Sequence, residues 1–248
     1  MIAHRGDSAH RPENTLAAFA GALEVGAGLV ELDVQLTADG HVIVLHDPDL
    51  DRTTTGRGDV RRLTLAEVRS VSAGYPDRFG SAYAGERVPA LSEALALLRG
   101  RARVLVEIKT ESVTDGTDGG IEARVVEEVR RAGMTDQVAL ISFDHRAIVR
   151  LASRAPEMTR GRLFGRANAD EMLAAARDAA CEIVMPHKGQ LTDALVDRVH
   201  AAGLKLATWV VDEPAELKQL ARFGLYGVGS NRPGVLLEAI ADGLLDGP

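Results

Sequence analysis

The sequence is poor in cysteine, in aromatic residues and in long apolar runs. The 248 residues include a single cysteine, Cys181, which excludes an internal disulfide and a zinc site built from cysteines. Aromatic residues make up only 4% of the chain. No run of about 18 apolar residues occurs, so we expect no membrane span. The first predicted strand begins at Ile2 and leaves no room for a signal peptide, so we expect a cytoplasmic protein.

The chain also lacks an excess of positive charge. Lysine and arginine number 29 against 36 aspartates and glutamates, which gives a formal net charge of −7. This balance argues against a nucleic-acid or anionic-membrane surface, although a local basic pocket for one phosphate remains compatible with it. Hydrophobic residues make up 46% of the chain, enough for a substantial core, and the length suits one large domain. We therefore expect a small-molecule partner, with no nucleic acid.

Short apolar segments alternate with helical segments along the whole sequence. The predicted strands are Ile2–His4, Leu29–Val34, Val104–Lys109, Val138–Phe143, Thr159–Phe164, Glu182–Pro186, Leu204–Val210 and Leu225–Ser230. The predicted helices are 14–25, 91–98, 121–132, 145–155, 170–180, 193–202, 214–223 and 234–244. Repeated strand–helix units in a chain of this length predict an α/β fold, the TIM (β/α)8 barrel. An open, doubly wound sheet has the same alternation and is the alternative.

Two segments interrupt this alternation. A turn at Thr37–Gly40 followed by His41–His46 predicts a strand that folds back on the second strand as a β-hairpin. The next segment, Asp47–Pro89, is rich in polar residues and glycine and has one short helical run at Leu65–Ser70. Insertions of this length are usually functional, and we expect a lid or substrate cap. A surface elaboration without a role is the alternative. The prediction is one domain, 1–248, with an insertion at about 47–89.

Carboxylates collect at the carboxyl ends of the early strands, where barrel enzymes have their active sites. Glu31 and Asp33 lie two residues apart on the second strand, so both side chains face the same way. Glu107 lies in an apolar strand, where burial without a metal or a cation would cost several kcal/mol. Three carboxylates without cysteines or a His-x-His pair suit a hard divalent ion, Mg²⁺ or Ca²⁺.

Two histidines and two cations occupy the same strand ends. His4 and Arg5 end the first strand, His46 ends the hairpin strand, and Lys109 follows Glu107 by two residues. Each has an ordinary explanation, such as a hydrogen-bonded surface histidine or a local Glu107–Lys109 ion pair. Their joint position favours an active site instead. Arg5 and Lys109 would then form a basic pocket of phosphate size.

Several short motifs follow one another in order along the chain. They are His4-Arg5-Gly6, Pro12-Glu13-Asn14-Thr15, the run from Glu31 to Thr37, Asp39-Gly40, His46-Asp47, Asp51-Arg52-Thr53-Thr54, the run from Val88 to Leu91, and Glu107-Ile108-Lys109. Together they resemble the glycerophosphodiester phosphodiesterase family over essentially the whole chain. The resemblance implies a TIM barrel with an inserted segment after the second-strand hairpin.

The resemblance also implies an activity, which is metal-dependent hydrolysis of a glycerophosphodiester to glycerol 3-phosphate and an alcohol. It implies a divalent metal at Glu31, Asp33 and Glu107, and an acid–base pair made of His4 and His46. One alternative is a phospholipase-D-like lyase, in which the glycerol 2-hydroxyl attacks and leaves a cyclic phosphate. Another is a non-catalytic barrel that binds a phospho-ligand.

The remaining expectations from the resemblance concern substrate contacts. Arg5 and Lys109 would hold the phosphate, and Phe143 and Trp209 would line the glycerol side of the pocket. The last strand departs from the family pattern, because Tyr226 stands where an aspartate is usual and Gly229 where a branched apolar residue is usual. We expect Gly229 either to widen the mouth of the barrel or only to ease local packing.

Overall fold

The predicted strands all form, and they pair side by side in the order of the chain. The computed structural model describes residues 1–116 and 119–245. Within them the strands are β1 (Ile2–His4), β2 (Leu29–Leu36), β3 (Val42–Val44), β4 (Arg103–Ile108), β5 (Val138–Ser142), β6 (Thr159–Phe164), β7 (Ile183–Pro186), β8 (Lys205–Thr208) and β9 (Gly227–Ser230). All pairs are parallel except β2–β3, and β1 pairs with both β2 and β9, which closes a barrel. The predicted TIM barrel is confirmed, and the open sheet is wrong.

Helices occupy the connections between the strands. They are α1 (Leu16–Glu24), α2 (Leu65–Arg69), α3 (Pro76–Phe79), α4 (Leu91–Leu98), α5 (Ile121–Ala132), α6 (His145–Arg154), α7 (Ala169–Asp178), α8 (Asp193–Ala201), α9 (Pro214–Ala221) and α10 (Pro233–Ala241). The first helix begins after Thr15, whose hydroxyl accepts a hydrogen bond from the Ala18 amide at 3.2 Å. Across the described residues, no helix is both long and apolar enough to cross a membrane.

Strand residues alternate between two hydrophobic layers. On β4, Val104 and Val106 face the helices, whereas Leu105 faces the inside of the barrel. The inner layer consists of Ile2, Leu105, Ala139, Ile141, Leu163, Ile183, Met185 and Ala207. This apolar plug fills the lower part of the barrel. The polar side chains at the carboxyl ends of the strands therefore lie above an apolar floor.

The hairpin and the insertion form a packed extension beside the barrel. Strand β3 pairs antiparallel with β2, with Val44 opposite Val34. Helix α2 matches the predicted helical run and begins with a capping box between Thr64 and Glu67. Helix α3 lies in the same segment and was not expected from the sequence. A separate apolar cluster holds the extension together: Ile43, Leu45, Leu50, Val60, Val68, Ala73 and Val88. The insertion is therefore a small packed unit with its own core.

Candidate active site

Three buried carboxylates lie together at the carboxyl ends of two neighbouring strands. Glu31 and Asp33 come from β2, and Glu107 on β4 is the register partner of Asp33. One oxygen of each residue lies within 4.8 Å of the others. Their exposed fractions are only 4% for Glu31, 0% for Asp33 and 8% for Glu107. The sequence prediction that these three side chains converge agrees with the structure.

The three carboxylates differ in proton affinity. Burial opposes ionisation of Asp33, but Arg5 and Lys109 outweigh burial and hold its pKa well below the usual range. Burial raises the pKa of Glu31 well above its usual value, and repulsion from Asp33 and Glu107 adds to this effect. Burial likewise raises the pKa of Glu107. Glu31 Oε1 and Asp33 Oδ1 are buried without a hydrogen-bond partner. This donor set, rich in oxygen and in negative charge, fits a hard divalent cation.

The two predicted phosphate-binding cations lie against these carboxylates. Lys109 Nζ is 2.7 Å from Glu107 Oε1 and 3.4 Å from Asp33 Oδ1. Arg5 Nε is 3.2 Å from Asp33 Oδ2, and the Arg5 backbone amide donates to Glu31 Oε2 at 2.9 Å. Burial acts to lower the pKa of Lys109, but the two carboxylates beside it outweigh burial and raise that pKa. Both cations therefore remain charged at the edge of the acidic cluster.

The loop between β1 and α1 sets the position of Arg5. Arg5 itself has a positive φ of 59°, and Gly6 follows with a φ of 83°. A Cβ on Gly6 would lie 2.6 Å from the carbonyl carbon of Ala18, so only glycine fits against α1. Asn14 ties the loop to β2, because its Nδ2 donates to Asp33 Oδ2 at 2.8 Å and its Oδ1 accepts from the Asp33 amide at 3.2 Å. Sequence reasoning placed Asn14 in a motif but gave it no role at the site.

His4 is held by an amide and an acid from the far end of the chain. Its Nδ1 lies 2.7 Å from Asn231 Oδ1, and Asn231 Nδ2 donates to Asp212 Oδ2 at 2.9 Å. Because Asp212 takes the amide nitrogen, the amide oxygen faces His4, and His4 Nδ1 must donate. His4 Nε2 then faces the cluster, 4.0 Å from Glu31 Oε2. Burial, helped by Arg5, lowers the pKa of His4 to about 4, so the ring is neutral at pH 7.

His46 has a carboxylate where His4 has an amide. Its Nδ1 lies 2.6 Å from Asp47 Oδ1, and Arg52 Nε donates to Asp47 Oδ2 at 2.6 Å. The hydrogen bond from His46, followed by that from Arg52, holds the pKa of Asp47 well below its usual value. Asp47 is therefore ionised, and Nε2 of His46 is the ring nitrogen left for a ligand. Sequence reasoning did not identify four of these partners, although the first two lie in motifs that it singled out: Asp47, Arg52, Asn231 and Asp212.

A cavity of about 210 Å³ opens at the carboxyl ends of the strands. Eight of the nine predicted site residues line it: His4, Arg5, Glu31, His46, Glu107, Lys109, Phe143 and Trp209. The ninth, Asp33, is fully buried beside Arg5 and Lys109. The opposite wall is apolar and includes Ile141, Leu163 and Met185. The cavity therefore has a charged wall from β1–β4 and an apolar wall from β5–β8.

One of the two departures of the last strand from the family pattern, Gly229, lies beside two aromatic side chains of the cavity. Phe143 and Trp209 meet edge to face with ring centroids 5.6 Å apart. Gly229 lines the cavity beside Trp209, and a Cβ there would lie 3.3 Å from Trp209 Cβ. A branched residue at this position would crowd the Cβ of Trp209. Tyr226 is 40% exposed, lies under the ammonium of Lys205 at 5.0 Å and does not line the cavity.

The fold and this site together define a TIM-barrel enzyme of the phosphodiesterase class. Residues 4–235 match the model of the glycerophosphoryl diester phosphodiesterase family, and the chain belongs to that family. It is 35% identical to a glycerophosphodiester phosphodiesterase of Caldanaerobacter subterraneus over 98% of both chains. It is 30% identical to another from Bacillus subtilis, over 94% of this chain and 83% of that one. The resemblance stated from the sequence is thereby confirmed.

Solved structures give the same result. A phosphodiesterase from Oleispira antarctica, in complex with the product sn-glycerol-3-phosphate, has a TM-score of 0.89 to this chain at 30% identity. The alignment covers 97% of this chain and 96% of that one. A putative glycerophosphoryl diester phosphodiesterase from Silicibacter pomeroyi has a TM-score of 0.88 at 29% identity, over 97% and 92% of the two chains. The fold similarity therefore includes the whole barrel.

Proposed function

We propose that this protein hydrolyses glycerophosphodiesters to sn-glycerol 3-phosphate and an alcohol, with a bound Mg²⁺ or Ca²⁺ ion. The observation that carries the proposal is the cavity in which two histidines, two cations and a buried acidic cluster face an apolar wall. Membership of the family and the product bound to the Oleispira antarctica relative support the same substrate class.

Glu31, Asp33 and Glu107 would hold the divalent ion. The unpartnered Oε1 of Glu31 and the raised pKa values of Glu31 and Glu107 support this assignment, because both features reflect negative charge that lacks compensation. When bound, the ion supplies positive charge that neutralises the non-bridging phosphate oxygens and orients the diester.

Arg5 and Lys109 would bind the phosphate from the edge of the acidic cluster. The guanidinium of Arg5 offers a fork that matches two phosphate oxygens, and the ammonium of Lys109 offers a compact point charge. Both already line the cavity while paired with carboxylates. Phe143 and Trp209 would contact the glycerol carbons across the cavity, where their faces exclude water from the apolar side.

The partners on Nδ1 assign different tasks to the two histidines. His4 is neutral with an acceptor nitrogen toward the cluster, so it suits the base that takes the proton from the attacking water. His46 donates from Nδ1 to the ionised carboxylate of Asp47, whose negative charge complements a cationic partner, so we assign to His46 the role of the acid that protonates the departing alkoxide. One proton enters His4 and one leaves His46 in each turnover, and exchange with solvent restores both rings.

Replacement of each histidine tests this assignment. We expect His4→Ala and His46→Ala each to lower the rate of glycerol 3-phosphate release from glycerophosphocholine by roughly 10²–10⁴-fold, the usual contribution of general acid–base catalysis. His200→Ala is the matched control, because His200 is exposed on α8 and lies outside the cavity. If either cavity variant keeps the rate of the control, that histidine is a bystander.

A further inference from the structure

Arg52 of the inserted segment joins two carboxylates from different parts of the chain. Its Nε donates to Asp47 Oδ2 at 2.6 Å and its Nη2 to Asp47 Oδ1 at 3.2 Å. On the other edge, Nη1 and Nη2 donate to the two oxygens of Glu13 at 2.9 and 2.8 Å. Asp47 follows β3, whereas Glu13 belongs to the loop between β1 and α1. One guanidinium therefore connects the hairpin extension to the loop that carries Arg5.

Each of these carboxylates contacts a residue of the cavity wall. Asp47 accepts the hydrogen bond from Nδ1 of His46 at 2.6 Å. Glu13 accepts from Nη1 of Arg5 at 2.8 Å. Arg52 is therefore linked through Asp47 to the proposed acid, His46. Through Glu13 it is linked to a proposed phosphate ligand, Arg5, although Arg52 does not line the cavity itself.

The geometry of this bridge restricts the side chains that it holds. A guanidinium is planar, and its fixed fork bonds two carboxylates with defined directions, which an ammonium cannot do. The hydrogen bond from His46, followed by that from Arg52, keeps the pKa of Asp47 low, and the hydrogen bonds from Arg52 outweigh burial to keep the pKa of Glu13 low. The ring of Tyr75 lies 5.7 Å from the guanidinium carbon and limits its movement on one face. Asp47 therefore meets His46 in one orientation.

We propose that Arg52 is a positioning residue for the reaction: it holds Asp47 so that His46 directs Nε2 toward the leaving oxygen. The proposal rests on the proposed function, and in particular on His46 as the acid. It gives the inserted segment a role that differs from the one expected from the sequence. No residue of 47–89 lines the cavity, so the role proposed here for the segment runs through Arg52, and the expected influence of a lid or substrate cap on the choice of head group stays a prediction.

Two substrates, one with a good and one with a poor leaving group, distinguish a misplaced acid catalyst from a general loss of activity. Choline leaves as an alkoxide that needs a proton, whereas 4-nitrophenolate leaves without one. We expect Arg52→Gln to lower kcat for sn-glycero-3-phosphocholine by on the order of 10-fold or more, a part of the contribution of an acid catalyst. The kcat for the 4-nitrophenyl ester of glycerol 3-phosphate and both KM values should change by less than about threefold, because the acid contributes little when the leaving group needs no proton.

Three further variants complete the experiment. His46→Ala defines the full loss of the acid and should show the same selectivity for the choline ester, only larger. Arg52→Lys keeps the charge but bonds only one carboxylate well, so its kcat for the choline ester should lie between those of the wild type and Arg52→Gln. Arg57→Gln is the matched control, because Arg57 belongs to the same segment, is exposed and pairs with Asp51. It should equal the wild type on both substrates.

The outcomes separate the inference from the proposed function. If Arg52→Gln and Arg52→Lys slow both substrates equally, or match Arg57→Gln, the positioning role is overturned while the proposed function stands. If His46→Ala slows both substrates equally, the assignment of the acid is overturned, and the inference with it. A wild type that hydrolyses neither diester overturns both. Should Arg52→Gln fail to fold, Arg52→Lys takes its place. The comparison is then between its kcat for the choline ester and its kcat for the 4-nitrophenyl ester.

Discussion

The two histidines of the cavity differ in what each Nδ1 contacts. The amide oxygen of Asn231, which Asp212 fixes in place, accepts the hydrogen bond from Nδ1 of His4, so the neutral ring keeps an acceptor toward the cavity. The carboxylate of Asp47, which is ionised, accepts the hydrogen bond from Nδ1 of His46 and leaves Nε2 as the free ring nitrogen. In the proposed mechanism, two residues of the same type would thus take different chemical tasks from their surroundings, as general acid–base catalysis requires.

Replacing Glu107 with glutamine tests the acidic cluster at the level of one residue. Glu107→Gln keeps the size of the side chain but removes one of three negative charges from the group, and it leaves Lys109 with one carboxylate partner fewer. We expect the affinity for Mg²⁺ or Ca²⁺, measured by calorimetry, to fall by at least about 10-fold, because even indirect partners of a metal contribute that much.

The control for this variant is Glu111→Gln, an exposed glutamate in the turn after β4. It should bind the ion as the wild type does, and circular dichroism should be unchanged for both variants. Equal metal binding by Glu107→Gln and Glu111→Gln would remove Glu107 from the metal site.

The positions of single residues were predictable where the spacing along one strand determines them. Glu31 and Asp33 share a face by their spacing alone, and the structure brings them to Glu107 as expected. The hydrogen-bond partners were not predictable, since Asn231 lies 227 positions from His4. Only closure of the barrel, in which β1 pairs with β9, brings those two residues together.

At the scale of elements, the turn from β1 into α1 depends on a close approach of two backbones. Gly6 and Gly26 both have a φ of 83°, but a Cβ on Gly6 would meet the backbone of Ala18 at 2.6 Å, whereas nothing lies within 4 Å of a Cβ on Gly26. Gly26→Ala is therefore the matched control for Gly6→Ala. It should cost only the conformational penalty of a positive φ, roughly 1–2 kcal/mol.

We expect Gly6→Ala to destabilise the protein by more than this control in urea unfolding. It should also lower kcat, because displacement of the turn moves His4 and Arg5 at the end of β1. Gly26→Ala should keep the kcat of the wild type. Equal unfolding free energies for the two variants would show that the approach of Gly6 to α1 is not a constraint.

The bridge made by Arg52 predicts a dependence of stability on pH. Asp47 and Glu13 both have a pKa in the folded protein below the usual values of about 3.9 and 4.3. Groups with a lowered folded pKa stabilise the protein above their unfolded pKa, and that stabilisation is lost as the pH falls toward the folded value. The stability difference between the wild type and Arg52→Gln should therefore be largest near neutral pH and shrink below about pH 4.

Urea unfolding of both proteins across this range measures the difference directly. Arg57→Gln provides the reference for loss of an exposed pair in the same segment. A difference between the wild type and Arg52→Gln that stays constant as the pH falls from about 5 to about 2 would contradict the ionic character of the bridge.

Element types were easier to predict than element ends. All barrel strands were expected, because apolar runs alternate with helical periods, but the last strand begins at Gly227 and the prediction began at Leu225. The partner strand decides how far pairing extends, and the sequence of one strand does not contain that information. Helix α3 was missed for a similar reason, since the segment around it folds on β3 through a cluster that includes Ile43 and Val88.

At the scale of the whole molecule, the charged residues of the cavity come from one part of the chain and the apolar wall from another. Every charged residue of the cavity wall lies between His4 and Lys109. The apolar wall opposite comes from later strands, between Ile141 and Trp209. A net charge of −7 is thus compatible with the proposed site for an anionic diester, because Arg5 and Lys109 both line the cavity.

Release of glycerol 3-phosphate by metal-stripped protein tests the central claim most directly. The wild type should be treated with EDTA, freed of chelator and assayed on glycerophosphocholine with and without added Mg²⁺ or Ca²⁺, with phosphorus NMR to identify the product. We predict no release without the ion and full recovery of glycerol 3-phosphate with it. Undiminished release by the stripped protein, or a cyclic phosphate as the final product, would contradict metal-dependent hydrolysis at this site.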